Sequence, residues 1–269
     1  MNVIHIESEI ELLQLLRHET TFRGQSNATW KLESKVERAA REKFGGSFLQ
    51  HLPAFEASLI DQFIDRCIRL ELGDINSPNG LPHLSDAFQW LSLMQHYGYP
   101  TRLVDFTDDV WVALHFALCD ADSSVPFAIF ALQMLPGDEV GNKLPKDSNG
   151  KLYRIPVAGN PTNVSELLGL AIKFGHFQSA YRASQLGAEW SKPKQNFGWD
   201  TPAIQNVRIK RQRGRFLYQL WPDGQLEDVP HLTKYTLPVR LRGTAKSILA
   251  SLGTKYSRDY LFPSFEETP

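Results

Sequence analysis

Residues 126–135 are an apolar run of strand length, with Phe127-Ala128-Ile129-Phe130-Ala131-Leu132 at its centre. The run does not alternate with polar residues, so it reads as a buried strand covered on both faces. The rest of the chain must supply those covering layers. Apolar residues at helical spacing occur at 10–17 and 53–72, and again before Gly98, where Ser85 is placed to cap the helix. Further helices are expected after Thr107, at 164–174 and at 244–252. Strands are expected at 20–23, 102–106, 215–221 and 235–241, with a Pro222-Asp223-Gly224 turn before the last. Gly24 and the polar Gln25-Ser26-Asn27 read as a turn, and 31–43 as a solvated connector or helix ended by Gly45-Gly46. Residues 136–161 read as loops around one short strand, and 177–202 receive no assignment. Strands and helices are interspersed, which predicts an α+β class in one domain, with a helical insertion at about 40–98.

The 269 residues carry 29 Lys+Arg and 30 Asp+Glu, a net charge of −1. That balance is a cancellation. Residues 206–258 hold 11 basic and 3 acidic side chains, whereas 1–205 hold 18 and 24. A polyanion partner is therefore expected to meet the basic C-terminal sheet region, about 206–258, and not the whole surface. Only two cysteines are present, Cys67 and Cys119, too few for a disulfide scaffold or a four-cysteine zinc site. They point to the reducing cytoplasm. Residues 1–11 place acids where a signal peptide would have a basic region, and no apolar stretch is long enough to span a membrane, so neither is expected. The histidines lack metal-ligand spacing, and no P-loop, GxGxxG or GxSxG sequence occurs. No metal is expected.

Three clusters place polar residues inside otherwise apolar structure. In the first, Phe22-Arg23-Gly24-Gln25, a strand-end arginine either presents its guanidinium to a phosphate or carboxylate ligand or simply pairs with a nearby acid. The second runs from His96 and Tyr97 through Arg102 and Asp105 to Thr107, where a helix N-terminus offers free backbone donors to an anion or ribose hydroxyl. The plainer alternative is a capping threonine, an Arg102–Asp105 ion pair and a core histidine. The third holds Arg208, Lys210, Arg211, Arg213 and Arg215 in eight positions. If extended, it would set Lys210 and Gln212 on one face and Arg211, Arg213 and Arg215 on the other, a ladder suited to a phosphate backbone or a charged edge strand.

Phe22-Arg23-Gly24-Gln25 followed by Trp30 and Leu32 resembles the opening motif of the FRG-domain family. Residues 94–107 with Ala113-Leu114-His115-Phe116-Ala117 resemble its central motif, although Phe106 stands at a usual Trp and Val110 at a usual Pro. Asn206, Arg208, Gln212, Gly214 and Phe216 resemble its third motif, and Leu261-Phe262-Pro263 its tail. On this basis the whole of 1–269 is expected to form a single FRG-type domain. In order and character these motifs are similar to those of the ADP-ribosyltransferase superfamily. That resemblance implies a split mixed or antiparallel sheet and NAD as co-substrate. It implies a toxin or phage-defence effector of the toxin–antitoxin kind that transfers ADP-ribose to a macromolecule and is restrained by an antitoxin or immunity protein; the basic run at 208–215 beside the third motif points to RNA or DNA as the acceptor.

The same resemblance implies that Arg23, Gln25, His96, Tyr97, Arg102 and Thr107 bind NAD, and that Arg23, Thr107, Asp105 and Gln212 serve the chemistry. Arg208, Lys210, Arg211, Arg213 and Arg215 would then hold the nucleic acid. Gln212 stands where active transferases usually have Glu. Either Asp105 supplies the carboxylate, or the acceptor needs little deprotonation, or the chain binds ligand, nucleic acid included, without transferring it. Hydrolysis of NAD is a further alternative.

Overall fold

The computed structural model describes residues 1–17, 20–69, 87–119, 124–133, 197–200, 207–219 and 226–262. The expected cap at Ser85, the elements at 136–161 and 164–174, the 222–224 turn, Asn206 and Pro263 lie outside them. The order of elements is β1 (Asn2–His5), α1 (Glu9–Leu15), β2 (Thr21–Gln25), α2 (Lys35–Phe44), α3 (Phe48–Arg69), α4 (Ala87–His96), β3 (Leu103–Thr107) and α5 (Val110–Leu118). There follow β4 (Phe127–Leu132), β5 (Phe197–Asp200), α6 (Val207–Arg211), β6 (Gly214–Gln219), β7 (Leu232–Leu237), α7 (Leu241–Ser251) and α8 (Arg258–Leu261). The class is α+β.

Among the described residues, seven strands form one mixed sheet in the order β1-β7-β4-β2-β3-β6-β5, in which only the β1–β7 pair is parallel. β4 is buried at all six positions. Phe127, Ile129 and Ala131 meet α1, α5 and α7 on one face, through Leu12, Leu114 and Ala245 among others. On the opposite face, Ala128, Phe130 and Leu132 join Leu32, Val104, Phe106 and Leu226. The apolar run is thus covered twice, as its lack of alternation requires.

The sheet consists of two well-paired halves with a narrow join. β2 pairs with β4 at five positions and β3 with β6 at five, yet β2 and β3 share the single register pair Phe22↔Thr107. Helix α5 lies directly over β2 beside this join. A Cβ at Gly24 would stand 1.8 Å from the carbonyl oxygen of Ala113 and 2.6 Å from the amide nitrogen of Ala117. Gly24 is therefore a strand residue where a helix backbone approaches, and the expected turn at 24–25 is corrected accordingly: β2 continues to Gln25. The small Ala113 and Ala117, one helical turn apart, permit the approach.

Two other expectations change. The basic run is not extended: Val207–Arg211 is helical, Gln212 and Arg213 close it with bonds to the carbonyls of Arg208 and Lys210, and Arg213 adopts φ 47° before β6 begins at Gly214. Local i→i−4 and i→i−3 bonding has consumed the backbone groups that a ladder would need, so the two-faced array of Lys210, Gln212, Arg211, Arg213 and Arg215 does not form. β6 and β7, expected on either side of a turn, are not neighbours; β4, β2 and β3 stand between them. The stretch expected as a solvated connector or helix is α2, capped by a reciprocal Ser34–Glu37 box, with Val36, Glu37 and Ala40 buried near α3.

Gly24→Ala places a methyl against main-chain atoms that cannot rotate away. We expect a loss of about 3 kcal/mol, read as a lower urea midpoint at unchanged m-value. A variant as stable as the parent would show that α5 does not rest on β2 as described.

Candidate functional site at the sheet join

The alternation along β2 turns Phe22 and Gly24 toward α5, and Arg23 and Gln25 to the opposite face. Arg23 stands in register with Phe130 of β4. Its Nη1 donates to the main-chain carbonyl of Asp105 at 2.7 Å, across the opening between β2 and β3, and its buried Nε has no hydrogen-bond partner among the described residues. Burial lowers the guanidinium pKa, the Asp105 charge opposes this, and Arg38 of α2 adds to the lowering. The plain expectation of a strand-end arginine paired with an acid is met only by a carbonyl. On the same face Gln25 donates from Nε2 to the Lys31 carbonyl at 3.3 Å, and its Oε1 is also buried without a partner.

Asp105 is exposed, and its Oδ1 accepts 2.7 Å from Nε2 of Gln95 on α4. Gln95 in turn accepts from the buried Thr101 hydroxyl, and the Thr101 carbonyl accepts from the amide of Val36 at 3.2 Å. The sequence alone does not single out Gln95; its place within the central motif is the available signal.

Arg102 does not pair with Asp105. It grips Glu56 of α3 instead, Nε lying 2.9 and 3.2 Å from the two carboxylate oxygens while Nη2 also donates to Oε2. Burial pulls the Arg102 pKa down, but the charge and hydrogen bonds of Glu56, with help from Glu37 and Tyr218, raise it overall. Glu56 is 1% exposed. A partner 46 residues away leaves no local trace, whereas Asp105 is near in sequence and on the wrong side of the strand.

The turn from β3 into α5 is tied on every side. The Thr107 hydroxyl donates to the Gln212 carbonyl at 2.6 Å and accepts from the Asp109 amide at 3.0 Å. Asp109, and not Thr107, caps α5 through the Trp111 amide. Asp108 accepts from the Thr21 hydroxyl at 3.0 Å and from Arg215 Nε at 2.6 Å, so Arg215 is spent on an internal ion pair. Gln212 lies two residues before β6 and donates from Nε2 to the Leu261 carbonyl at 2.9 Å. Arg211 donates to the Tyr260 carbonyl. Arg208, Lys210 and Arg213 are exposed.

His96 and Tyr97 stand edge to face, 5.3 Å between ring centroids, at the end of α4. Burial lowers the His96 pKa, and the nearby Arg208 lowers it further. The structure therefore brings Arg23, Asp105 and Thr107 to the sheet join, places Gln212 behind Thr107, and brings Arg208 beside His96. Arg102 it draws away into the α3 contact. Among the described residues no cluster of histidine, cysteine and carboxylate side chains suited to a metal ion occurs, and no helix is long and apolar enough to cross a membrane.

Two outcomes follow. Glu56→Ala removes the buried carboxylate that Arg102 grips with two nitrogens and is expected to cost about 3–5 kcal/mol in chemical denaturation; a loss below about 1 kcal/mol would mean that the pair is solvent-screened. For His96, the folded chain binds its proton less tightly than the unfolded chain, whose imidazole titrates near 6.5. The neutral ring thus stabilises the fold above about pH 6.5, and this contribution is lost as pH falls through the lowered value. His96→Gln should flatten that part of the stability–pH curve, and an unchanged slope would contradict the assignment.

Comparison with curated proteins gave no match, and neither did comparison with solved structures. A family model does match: the FRG domain, over residues 18–125. The match begins before β2 and ends before β4, so it takes in Arg23, Gly24, Gln95, Asp105 and Thr107 and leaves out the basic segment and α8. Residues 18–125, which include β2, β3 and α5 at the sheet join, are similar to the FRG domain.

Proposed function

We propose that the β2–β3 join binds NAD and that the chain transfers its ADP-ribose to a macromolecule, as an ADP-ribosyltransferase-like effector of toxin or defence type. The observation that carries this reading is Arg23. It is a partly buried cation held by one main-chain carbonyl, its buried Nε without a hydrogen-bond partner among the described residues, where the two halves of the sheet share a single register pair. A buried donor without an acceptor is costly, and a phosphate oxygen would satisfy it while neutralising the charge. The single β2–β3 register pair also accords with a split sheet.

Arg23 grips the diphosphate in this reading. When NAD is bound, departure of nicotinamide with the bonding electrons leaves positive charge on the ribose, which needs a nearby anion. Asp105, exposed and aimed by Gln95, supplies it and takes the proton of the attacking acceptor. Thr107 and Gln212 are held to each other and to α8, so their part is to fix the turn beside the sugar.

A second reading, ligand binding without transfer, draws support from Gln212. Its side chain is neutral, and its amide nitrogen is already committed to Leu261. Nicotinamide release and NAD binding, measured together, separate the two. Arg23→Ala should weaken NAD binding about tenfold or more. Asp105→Asn should retain binding and lose nicotinamide release. NAD binding with no release in the presence of cell extract would favour the binding module, and no NAD binding at all would end both readings.

A further inference from the structure

The segment that follows α7 closes over the basic α6 with a consistent set of contacts. Tyr256 donates its hydroxyl to Asp109 at 3.3 Å, and Leu261 is fully buried. The guanidinium of Arg211 lies 4.7 Å from the centre of the Tyr260 ring while its Nη1 donates to the Tyr260 carbonyl at 3.0 Å. The guanidinium of Arg208 lies 4.6 Å from the centre of the Phe262 ring, and that ring stands edge to face on Phe116, 5.7 Å away. Two adjacent arginines on one helix each carry an aromatic ring, and one also carries an oxygen acceptor. A single-stranded nucleic acid presents that same pair of groups, stacked bases and phosphate oxygens, to arginine.

We propose that Arg208 and Arg211 form a stacking site for single-stranded nucleic acid, which the chain's own segment 257–262 fills at rest. The flanking Lys210 and Arg213 are exposed and give the strand an electrostatic landing before the segment lifts. The lift is local. α8 is a single helical turn, capped by Ser257 and held by the Leu261 and Phe262 amides donating to the carbonyls of Ser257 and Arg258, so it opens without disturbing the sheet. Opening would also release Gln212 from Leu261, beside Thr107, which joins nucleic-acid arrival to the candidate site. This names the acceptor class of the transfer reading and rests on that reading for its purpose, but not for the binding itself.

The test uses the full chain and fluorescent oligo-U RNA and oligo-T DNA of about twelve nucleotides, followed by anisotropy at two salt concentrations. The double variant Tyr260→Ala/Phe262→Ala should bind about tenfold more tightly than the parent, and adding Arg208→Gln and Arg211→Gln should abolish the gain. In the parent, hydrogen exchange at the Leu261 and Phe262 amides should quicken when oligonucleotide is added, a readout that stands even if the variants fold poorly. The proposal is overturned by slower or unchanged exchange on binding, by a folded double variant that binds no tighter, or by no binding to either oligonucleotide. Heparin quickening the same exchange equally well would reduce the site to charge alone and also overturn it. NAD consumption measured on the same samples separates the two claims, since its absence counts against transfer and leaves the stacking result standing.

Discussion

The contact between Gly24 and the backbone of α5 is the constraint on which the arrangement of this protein turns. A helix can lie this close to a strand only where the strand has no Cβ, and Ala113 and Ala117 keep the helix side equally bare. Seated there, α5 covers β2 and fixes where the β3–α5 turn emerges. β2 and β3 pair once, at Phe22 and Thr107, and beyond that pair Arg23 reaches across to the Asp105 carbonyl. A side chain thus takes the place of a missing ladder bond. That substitution leaves a charged, hydrogen-bonding group at the centre of the sheet with part of its capacity unused.

Around this centre most polar side chains are already committed. Thr107, Asp108 and Asp109 tie β3 to Thr21, to the Gln212–Arg215 stretch and to Tyr256. The basic surplus of residues 206–258 is partly spent in the same way. Arg211 and Arg215 bond internally, Arg240 pairs with Glu7, Lys234 donates to the Trp30 carbonyl, and the buried Arg242 clamps the carbonyls of Ser26 and Val125. A run of cations in the sequence is therefore a poor measure of the charge offered to a partner. Arg208, Lys210 and Arg213 remain exposed, on one short helix and the turn that ends it.

What is legible in the sequence is whatever local periodicity or capping decides. The unalternating run is β4, Gly98 and Gly253 take positive φ near helix ends as stop signals, and the FRG motif falls on β2. Legibility ends where a distant neighbour decides. Gly24 looks like a turn residue because nothing nearby reveals that a helix 89 positions on will press against it. Asp105 looks like the partner of Arg102 because proximity in sequence stands in for direction, and Glu56 on α3 is the true partner. The basic run fails locally instead: its own backbone closes a helix of five residues before β6, too short for a helical period to show. Gln212 lies before β6, accepts from Thr107 through its main-chain carbonyl and turns its side chain to Leu261, a tie that no motif announces.

The central claim is that the unpartnered Nε of Arg23 awaits a phosphate. Its most direct test is the ¹⁵N–¹H resonance of that Nε–H group, assigned by its loss in Arg23→Lys and followed while ADP-ribose is titrated into the full chain. A saturable shift of this resonance is expected, together with slower solvent exchange of its proton. ADP-ribose that binds while the Arg23 resonance stays in place, or that does not bind, would contradict it.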